Sequence, residues 1–401
     1  MANTLTPRDV YSLMNSIVSQ ATGQTSLTVT DTTSFVSVGE TLLRTAAENT
    51  LNAISTVLAD TIFSVRPYRG KLESLRVSQR RWGAQVRKIV NLYSEAEASQ
   101  DWNTDLDGSP KLADGNSIDM YKIKSPKAIQ LNFYGTAVLQ KHITMYRDQL
   151  ALAFTSEAEF VRFIDAVMTE FNNEVELLNE NKARLTLINF MAGIHDMSLT
   201  EVDLVAEYNT DHNTTYTREQ LLTTYIEDFM KYVAAKIKVY SELLTDMRAD
   251  FHANLTGYSA ILRHTPKERQ KMIMYNPIFI EAESEVYSGL FNPQYLDIGT
   301  FEGVNYWQDP LSPTAINCKP NILDVSNGKS KDAAAAVSID YVLGLLFDEE
   351  ALGIMPQFDY ASTTPFNSSG GYYNNFLHWR FNSYNDYTEN AVLFVLGAGG
   401  I

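Results

Sequence analysis

A single helical stripe of unusual length runs through the middle of the chain. Ser156-Glu157-Ala158-Glu159 has the form of a capping box, and Phe160, Ile164, Val167, Phe171, Val175 and Leu178 follow on one face. The pattern continues toward Ile188 and is expected to stop near Gly193. A helix of about 30 residues runs roughly 45 Å, longer than most globular helices and long enough to span a subunit. Such a spine needs a wide surface to pack against. Of the 401 residues 45% are hydrophobic and 20% charged, so that surface can be built and disorder is excluded as the main state.

Charge and cysteine content narrow the possible functions. Lys and Arg number 32 against 48 Asp and Glu, a formal charge of -16 at pH 7. That balance argues against gripping duplex nucleic acid through a wide basic face. Cys318 is the only cysteine, so neither an intramolecular disulfide nor a thiolate metal cage is expected. No apolar stretch reaches the length of a bilayer span, and the start MANTLTPRDV lacks a basic region leading into an apolar one. The expectation is a protein without membrane anchoring or secretion, with Asn213 and Asn254 unglycosylated.

Along the chain, Pro7 opens a short helix carrying Val10, Leu13, Met14 and Ile17, expected to end near Gly23. From Leu27 to Val38 a near alternation of Thr, Val and Ser predicts an extended polar arm. Helical spacing returns between Glu40 and Phe63. Val65 to Lys88 is basic, with Arg66, Arg69, Lys71, Arg76, Arg80, Arg81, Arg87 and Lys88 against Glu73 alone. Glu95 to Asp119 is acidic and rich in Asn, Gly and Ser, a long loop or hairpin tip, and Ile118 to Tyr134 is extended.

Met197 to Met247 is mainly helical, with Thr217-Arg218-Glu219 opening one run. Phe251 to Leu262 looks extended, Pro266 begins a short helix, and Ile273 to Ile280 is strand-like. Asp309 to Pro320 and Ser326 to Asp332 are expected loops. Val337 to Phe347, Ile354 to Tyr360, Tyr372 to Tyr384 and Glu389 to Leu396 are expected strands, with a turn near Asn385-Asp386.

Catalytic motifs are not convincing anywhere in this sequence. Asn103-x-Asp105-x-Asp107-Gly108 with Asp114 imitates a calcium loop, but Pro110 and the short last acid depart from the pattern, so a solvated tip is the better reading. Gly328-Lys329-Ser330 lacks the glycine a phosphate loop requires, because Leu323 stands there. His195-Asp196 and Asp211-His212 have no accompanying nucleophile motif, and His142, His252, His264 and His378 lack metal-ligand spacing. Cys318 carries no catalytic signature. Arg80-Arg81-Trp82 has the chemistry to clamp a nucleic-acid strand. The acidic loop that follows instead favours docking between subunits, basic root against acidic tip. Arg69, Lys71, Arg80, Arg81, Trp82, Asp101, Asp105 and Asp107 are therefore the candidate contact residues.

The order of these elements resembles the major capsid proteins of tailed phages, the α+β Hong Kong 97 fold, and the small podovirus capsid proteins of the phi-29 group in particular. The resemblance rests on the polar arm, the β excursion with its loose tip, the spine helix, the mixed region and the ending ENAVLFVL. It implies an N-arm and helix over 1–71, an E-loop over 72–132, a P-domain with the spine helix over 133–198, an A-domain over 199–347 and closing P-domain strands over 348–401.

It also implies a homo-oligomeric icosahedral shell of hexamers and pentamers around double-stranded DNA, held without sequence-specific binding. No enzymatic activity, cofactor, metal or membrane is implied. A separate scaffolding protein, a portal and decoration proteins are the implied partners, and the virion, assembled in the host bacterial cytoplasm, is the implied location. The Lys, Asn and Glu of covalently cross-linked members cannot be identified, so non-covalent joints are expected. The alternatives are a portal or tail component, or an enzyme whose residues converge only in three dimensions.

Overall fold

A computed structural model describes residues 7–22, 28–45, 70–77, 86–92, 115–117, 119–121, 123, 125, 127–133, 135–146, 157–256, 260–278, 280, 300–365 and 367–397. The chain forms two compact units whose segments interleave in sequence. Helix α3, Glu157–Asp196, contributes to both, and its 40 residues correspond to about 60 Å. The expected cap at Ser156 lies outside the described residues, as do the side chains of the Phe160 to Phe171 face.

In the first unit, α1 (Pro7–Thr22) buries Met14, Ile17, Val18 and Ala21 at helical spacing. α2 (Thr32–Thr45) buries Phe35, Val38 and Leu42 in the same way. This helix corrects the extended arm expected from Leu27 to Val38. Asp31 Oδ1 accepts from Ser34 N at 2.7 Å, and Ser34 Oγ accepts from Asp31 N at 3.0 Å, so a reciprocal cap starts a helix where β-branched composition suggested strand. Among the described residues of that stretch only 28–31 stays non-helical, tied to α1 where Val29 N donates to Asn15 Oδ1 at 2.7 Å. Beyond Thr45, the helix expected through Phe63 lies outside the described residues.

The same unit holds a three-stranded sheet ordered β12 (Leu352–Thr363), β13 (Tyr372–Asn385), β3 (Gly135–Tyr146). β13 and β3 pair antiparallel from Tyr372↔Tyr146 to Ser383↔Gly135. Tyr373, Leu377, Trp379 and Phe381 are buried on one face of β13, the period-two alternation that made it legible as a strand.

The second unit is built on a five-stranded sheet ordered β4 (Glu201–Asp203), β14 (Ala391–Val395), β11 (Val342–Asp348), β5 (Gln270–Tyr275), β6 (Thr300–Val304). β14 and β11 are buried along their whole length, which is why both sequences are continuous apolar runs. Over this sheet pack α4 (Leu204–His212), α5 (Arg218–Thr223) and α6 (Ile226–Leu243). Phe229, Val233 and Ile237 of α6 share one core with Met272, Leu346, Val392 and Phe394. The start expected at Thr217 is a complete capping box with Gln220. β4 is an unexpected strand inside the Met197 to Met247 helical stretch; its three residues pair in parallel with β14.

Several other expectations change. Val337 to Phe347 is two strands, β10 (Val337–Ile339) and β11, because Tyr341 takes a left-handed backbone with φ of 57°. β10 pairs instead with β7 (Ile316–Cys318), inside an expected loop. Ser326 to Asp332 is likewise half strand, since β8 (Asn321–Asp324) and β9 (Lys329–Asp332) form a hairpin. Asp324 Oδ1 accepts from Ser326 N at 3.1 Å across its turn, and Gly328, with φ of +70°, supplies the left-handed residue. The strand expected at Ile273 starts earlier, at Gln270, and gives way to a helical turn at 276–278. Residues 251–256 and 260–262 are irregular, organised by Asn254, whose Oδ1 accepts from Ile261 N at 2.8 Å. The turn near Asn385-Asp386 is present, but the strands it joins enter different sheets.

One close approach fixes the C-terminal part of α3. The Tyr387 ring stacks on Phe190 with centroids 5.0 Å apart, and its hydroxyl is shared between the carbonyls of Asn189 at 3.1 Å and Asn321 at 3.0 Å. A Cβ on Gly193 would lie 2.1 Å from that hydroxyl. Alanine normally stabilises a helix relative to glycine. Here the clash dominates: Gly193→Ala is expected to lower stability by ~1–3 kcal/mol, measured by urea unfolding of the full chain.

Candidate functional site

The basic segment and the hairpin that follows it carry most of the candidate contact residues. Around residues 70–77, the Arg76 guanidinium and the Lys71 backbone are bound within the chain. Arg76 Nη2 meets Glu176 Oε2 at 2.6 Å and Nη1 meets Oε1 at 3.2 Å, a bidentate pair to α3. The backbone N–H of Lys71 donates to Glu180 Oε2 at 3.3 Å, while Arg184 Nη2 holds the other oxygen of Glu180 at 2.6 Å. Of the candidate contact residues, Lys71 alone is described. Arg69, Arg80, Arg81, Trp82, Asp101, Asp105 and Asp107 lie outside the described residues, as does the calcium-like loop.

β1 (Val86–Asn91) and β2 (Ala128–Phe133) pair antiparallel, Val86 opposite Phe133 and Asn91 opposite Ala128. On β1, Arg87 and Ile89 are exposed, whereas Val90 is buried and Lys88 is only 18% exposed. The strand alternation therefore turns Lys88 and Val90 the same way. Lys88 Nζ sits among three carboxylates: Asp386 Oδ2 at 3.1 Å, Glu350 Oε2 at 3.3 Å and Glu389 Oε1 in closer contact. Burial opposes the charge on Lys88, but Asp386 and Glu389 outweigh it, so its pKa is raised and it stands as an ammonium.

Each carboxylate is itself held. Asp386 Oδ1 accepts from Thr388 N at 2.9 Å and Thr388 Oγ1 at 2.6 Å. Arg263 Nη2 lies 2.9 Å from Glu389 Oε1, and Arg269 pairs with Glu350. Backbone bonds from Asp386 N to Ala351 O at 2.6 Å and from Asp348 N to Asn390 O at 3.0 Å join the two turns that present them. Lys88 and Asp386 are 298 residues apart, so no local pattern marks the pair. The basic run contained Lys88, but its partners were missed as isolated acids near a turn.

Farther along the β1–β2 excursion, Tyr121 is 81% and Ile123 88% exposed, with Met120 similarly bare. Solvent-facing apolar side chains clustered in sequence have the character of a contact surface. By contrast, the groups considered for catalysis are dispersed. His195 Nδ1 meets Glu201 Oε2 at 2.6 Å on the surface, and His212 stacks on Tyr208 with its Nδ1 3.0 Å from the Tyr208 carbonyl. Burial pushes the Cys318 thiol up, away from reactivity. The Gly328-Lys329-Ser330 sequence is the β8–β9 turn and start of β9. Among the described residues no group of three or more His, Cys, Asp or Glu is placed to hold a metal, and no helix is long and apolar enough to cross a membrane.

Comparison with known proteins adds three findings. A family model described as Phi29-like phage major capsid protein matches residues 14–395. The capsid structure of Staphylococcus phage Andhra aligns at a TM-score of 0.53 and 9% identity, covering 83% of this chain and 86% of that one. A chain from the structure of head fiber and inner core protein of native bacteriophage P68 aligns at 0.51 and 10% identity, with the same coverages of 83% and 86%. Both likenesses are of fold, the Hong Kong 97 type expected from the sequence. No curated protein matches the chain.

The charge cluster generates two expectations. Lys88→Met leaves Asp386 without its cation and Glu389 with Arg263 alone, and should cost ~3 kcal/mol in urea unfolding, part of it recovered by adding Glu389→Gln. His252, behind this cluster, contacts Asn390 Oδ1 at 2.9 Å and the Ile261 carbonyl at 2.8 Å. Burial holds its pKa below the usual histidine value; Arg263 pushes the same way, and Asp386 opposes. The unfolded chain then takes up a proton that the folded one resists, so this stability is present above about pH 6.5 and lost as pH falls below it. Urea unfolding at pH 7 and pH 5 should show a smaller loss for His252→Gln than for the wild type.

Proposed function

The chain belongs to the Phi29-like phage major capsid protein family, and from that membership we propose how its parts serve the shell. It is a structural subunit of the phage head, not an enzyme, and many copies assemble into the shell of the virion. The observation that carries this is the family match, which runs through nearly the whole chain rather than one motif.

The finer reading is as follows. The shell is icosahedral, built from hexamers and pentamers, and encloses double-stranded DNA. The β1–β2 excursion, with Met120, Tyr121 and Ile123 bare near its end, acts as the E-loop lapping a neighbouring subunit. Residues 1–71 supply the N-arm and its helix, 133–198 and 348–401 the P-domain, and 199–347 the A-domain. Arg69, Lys71, Arg80, Arg81 and Trp82 at the root, with Asp101, Asp105 and Asp107 at the tip, make the charged contacts between copies. Complementary charge is well suited to this, because it steers docking and fixes register.

A charge of -16 also suits a DNA container, since a basic inner wall would trap phosphates. A separate scaffolding protein, a portal and decoration proteins complete the head, which assembles in the host bacterial cytoplasm by non-covalent joints.

Negative-stain electron microscopy of the purified protein, and of particles from its native source, tests the reading. Closed shells tens of nanometres across are expected; rings or tubes would point to a portal or tail role instead. Deleting residues 95–116 should leave circular dichroism unchanged and abolish closed shells, and reversing the charge of Arg80 and Arg81 should weaken assembly most at low salt.

A further inference from the structure

The β1–β2 hairpin is attached to its unit in an unusual way. Among the described residues it is a two-stranded sheet that shares no ladder with any other strand. A strand stitched into a larger sheet has its angle set by a row of backbone bonds. This hairpin has no such row, so side chains set its angle. The described side chains facing inward are Val90 of β1 with Ile129, Leu131 and Phe133 of β2, which pack without direction, and Lys88, the one charge on that face.

The buried acceptors of Lys88 have partners of their own: Thr388 binds Asp386 and Arg263 lies beside Glu389, while the half-exposed Glu350 pairs with Arg269, and the turns bearing them are joined by backbone bonds. The ammonium they surround is a point charge with three rotatable donors on a flexible four-carbon stem. It can exchange one carboxylate for another as the hairpin tilts, with little change in total attraction. An arginine fork in the same place would bind two oxygens in one plane and select one angle.

We propose that Lys88 is a ball joint, an ammonium in a three-carboxylate socket that, beside the apolar contacts of the same face, holds the hairpin to its unit while leaving the angle adjustable. The proposal rests on the shell reading, in which one sequence occupies positions that are not all equivalent and each copy meets its neighbours at a slightly different angle. The joint supplies attachment without fixing direction. Lys88, Glu350, Asp386 and Glu389 are the residues that perform it.

The test uses the full chain as wild type, Lys88→Arg and Lys88→Met, produced side by side. Hydrogen exchange of the subunits should show Lys88→Arg protecting residues 86–91 and 128–133 as well as the wild type does, and Lys88→Met losing that protection while the five-stranded sheet keeps its own. Electron microscopy should then show several-fold fewer closed shells for Lys88→Arg, with open or irregular assemblies in their place. Closed shells from Lys88→Arg at the wild-type yield would overturn the angular role, and unchanged hairpin protection in Lys88→Met would overturn the attachment. Wild-type protein recovered from its native source in rings or tubes rather than closed shells would instead overturn the shell reading itself.

Discussion

Burial of β11 and β14 on both faces is the constraint from which the larger unit follows. Neither strand has a solvent side, so helices must cover the sheet, and α4, α5 and α6 do so through Leu204, Leu221, Phe229, Val233 and Ile237. With the central pair committed, β4 and β5 are recruited as flanking strands and β6 closes the edge beyond β5. Gly344 in β11 belongs to the same constraint. Its Cβ would meet the Ile273 carbonyl of β5 at 2.8 Å, so a side chain there would push the neighbouring strand away.

Polar interactions do a different job in the smaller unit. Glu176, Glu180 and Arg184 are buried on α3, an expensive place for charge unless each is paired. Arg76 and the Lys71 backbone supply the missing partners from the 70–77 segment. An apolar strip would tolerate sliding along the helix; fixed carboxylates do not. The pairs therefore specify where this segment lies along α3, whatever they add to stability.

The sequence made the long and periodic elements legible. The spine helix and the aromatic alternation of β13 were visible because one periodicity persisted through each, and β14 because it is an unbroken apolar run. α2 was misread because Thr, Val and Ser composition outweighed a cap whose two halves, Asp31 and Ser34, are individually common. The break at Tyr341 and the hairpin at Asp324 depend on single backbone conformations within short segments. Least legible was the Lys88 socket. A basic residue in the first quarter of the chain and three acids beyond residue 349 become a site only when the fold brings them together, and no local spacing encodes that meeting. The family resemblance was legible earlier than the site because it depends on the order of elements, which survives where side-chain detail does not.

The two strands that complete the sheets share a biosynthetic property. β13 lies between β12 and β3, and β14 lies between β4 and β11. Both come from residues 372–395, synthesised after every strand they pair with. Until that stretch leaves the ribosome, each sheet is missing an interior member, and the chain cannot present finished surfaces to another copy. In a protein made to polymerise, placing the interior strands late delays competence until translation has passed them. A product cut short upstream of residue 372 therefore lacks an interior strand in both sheets at once.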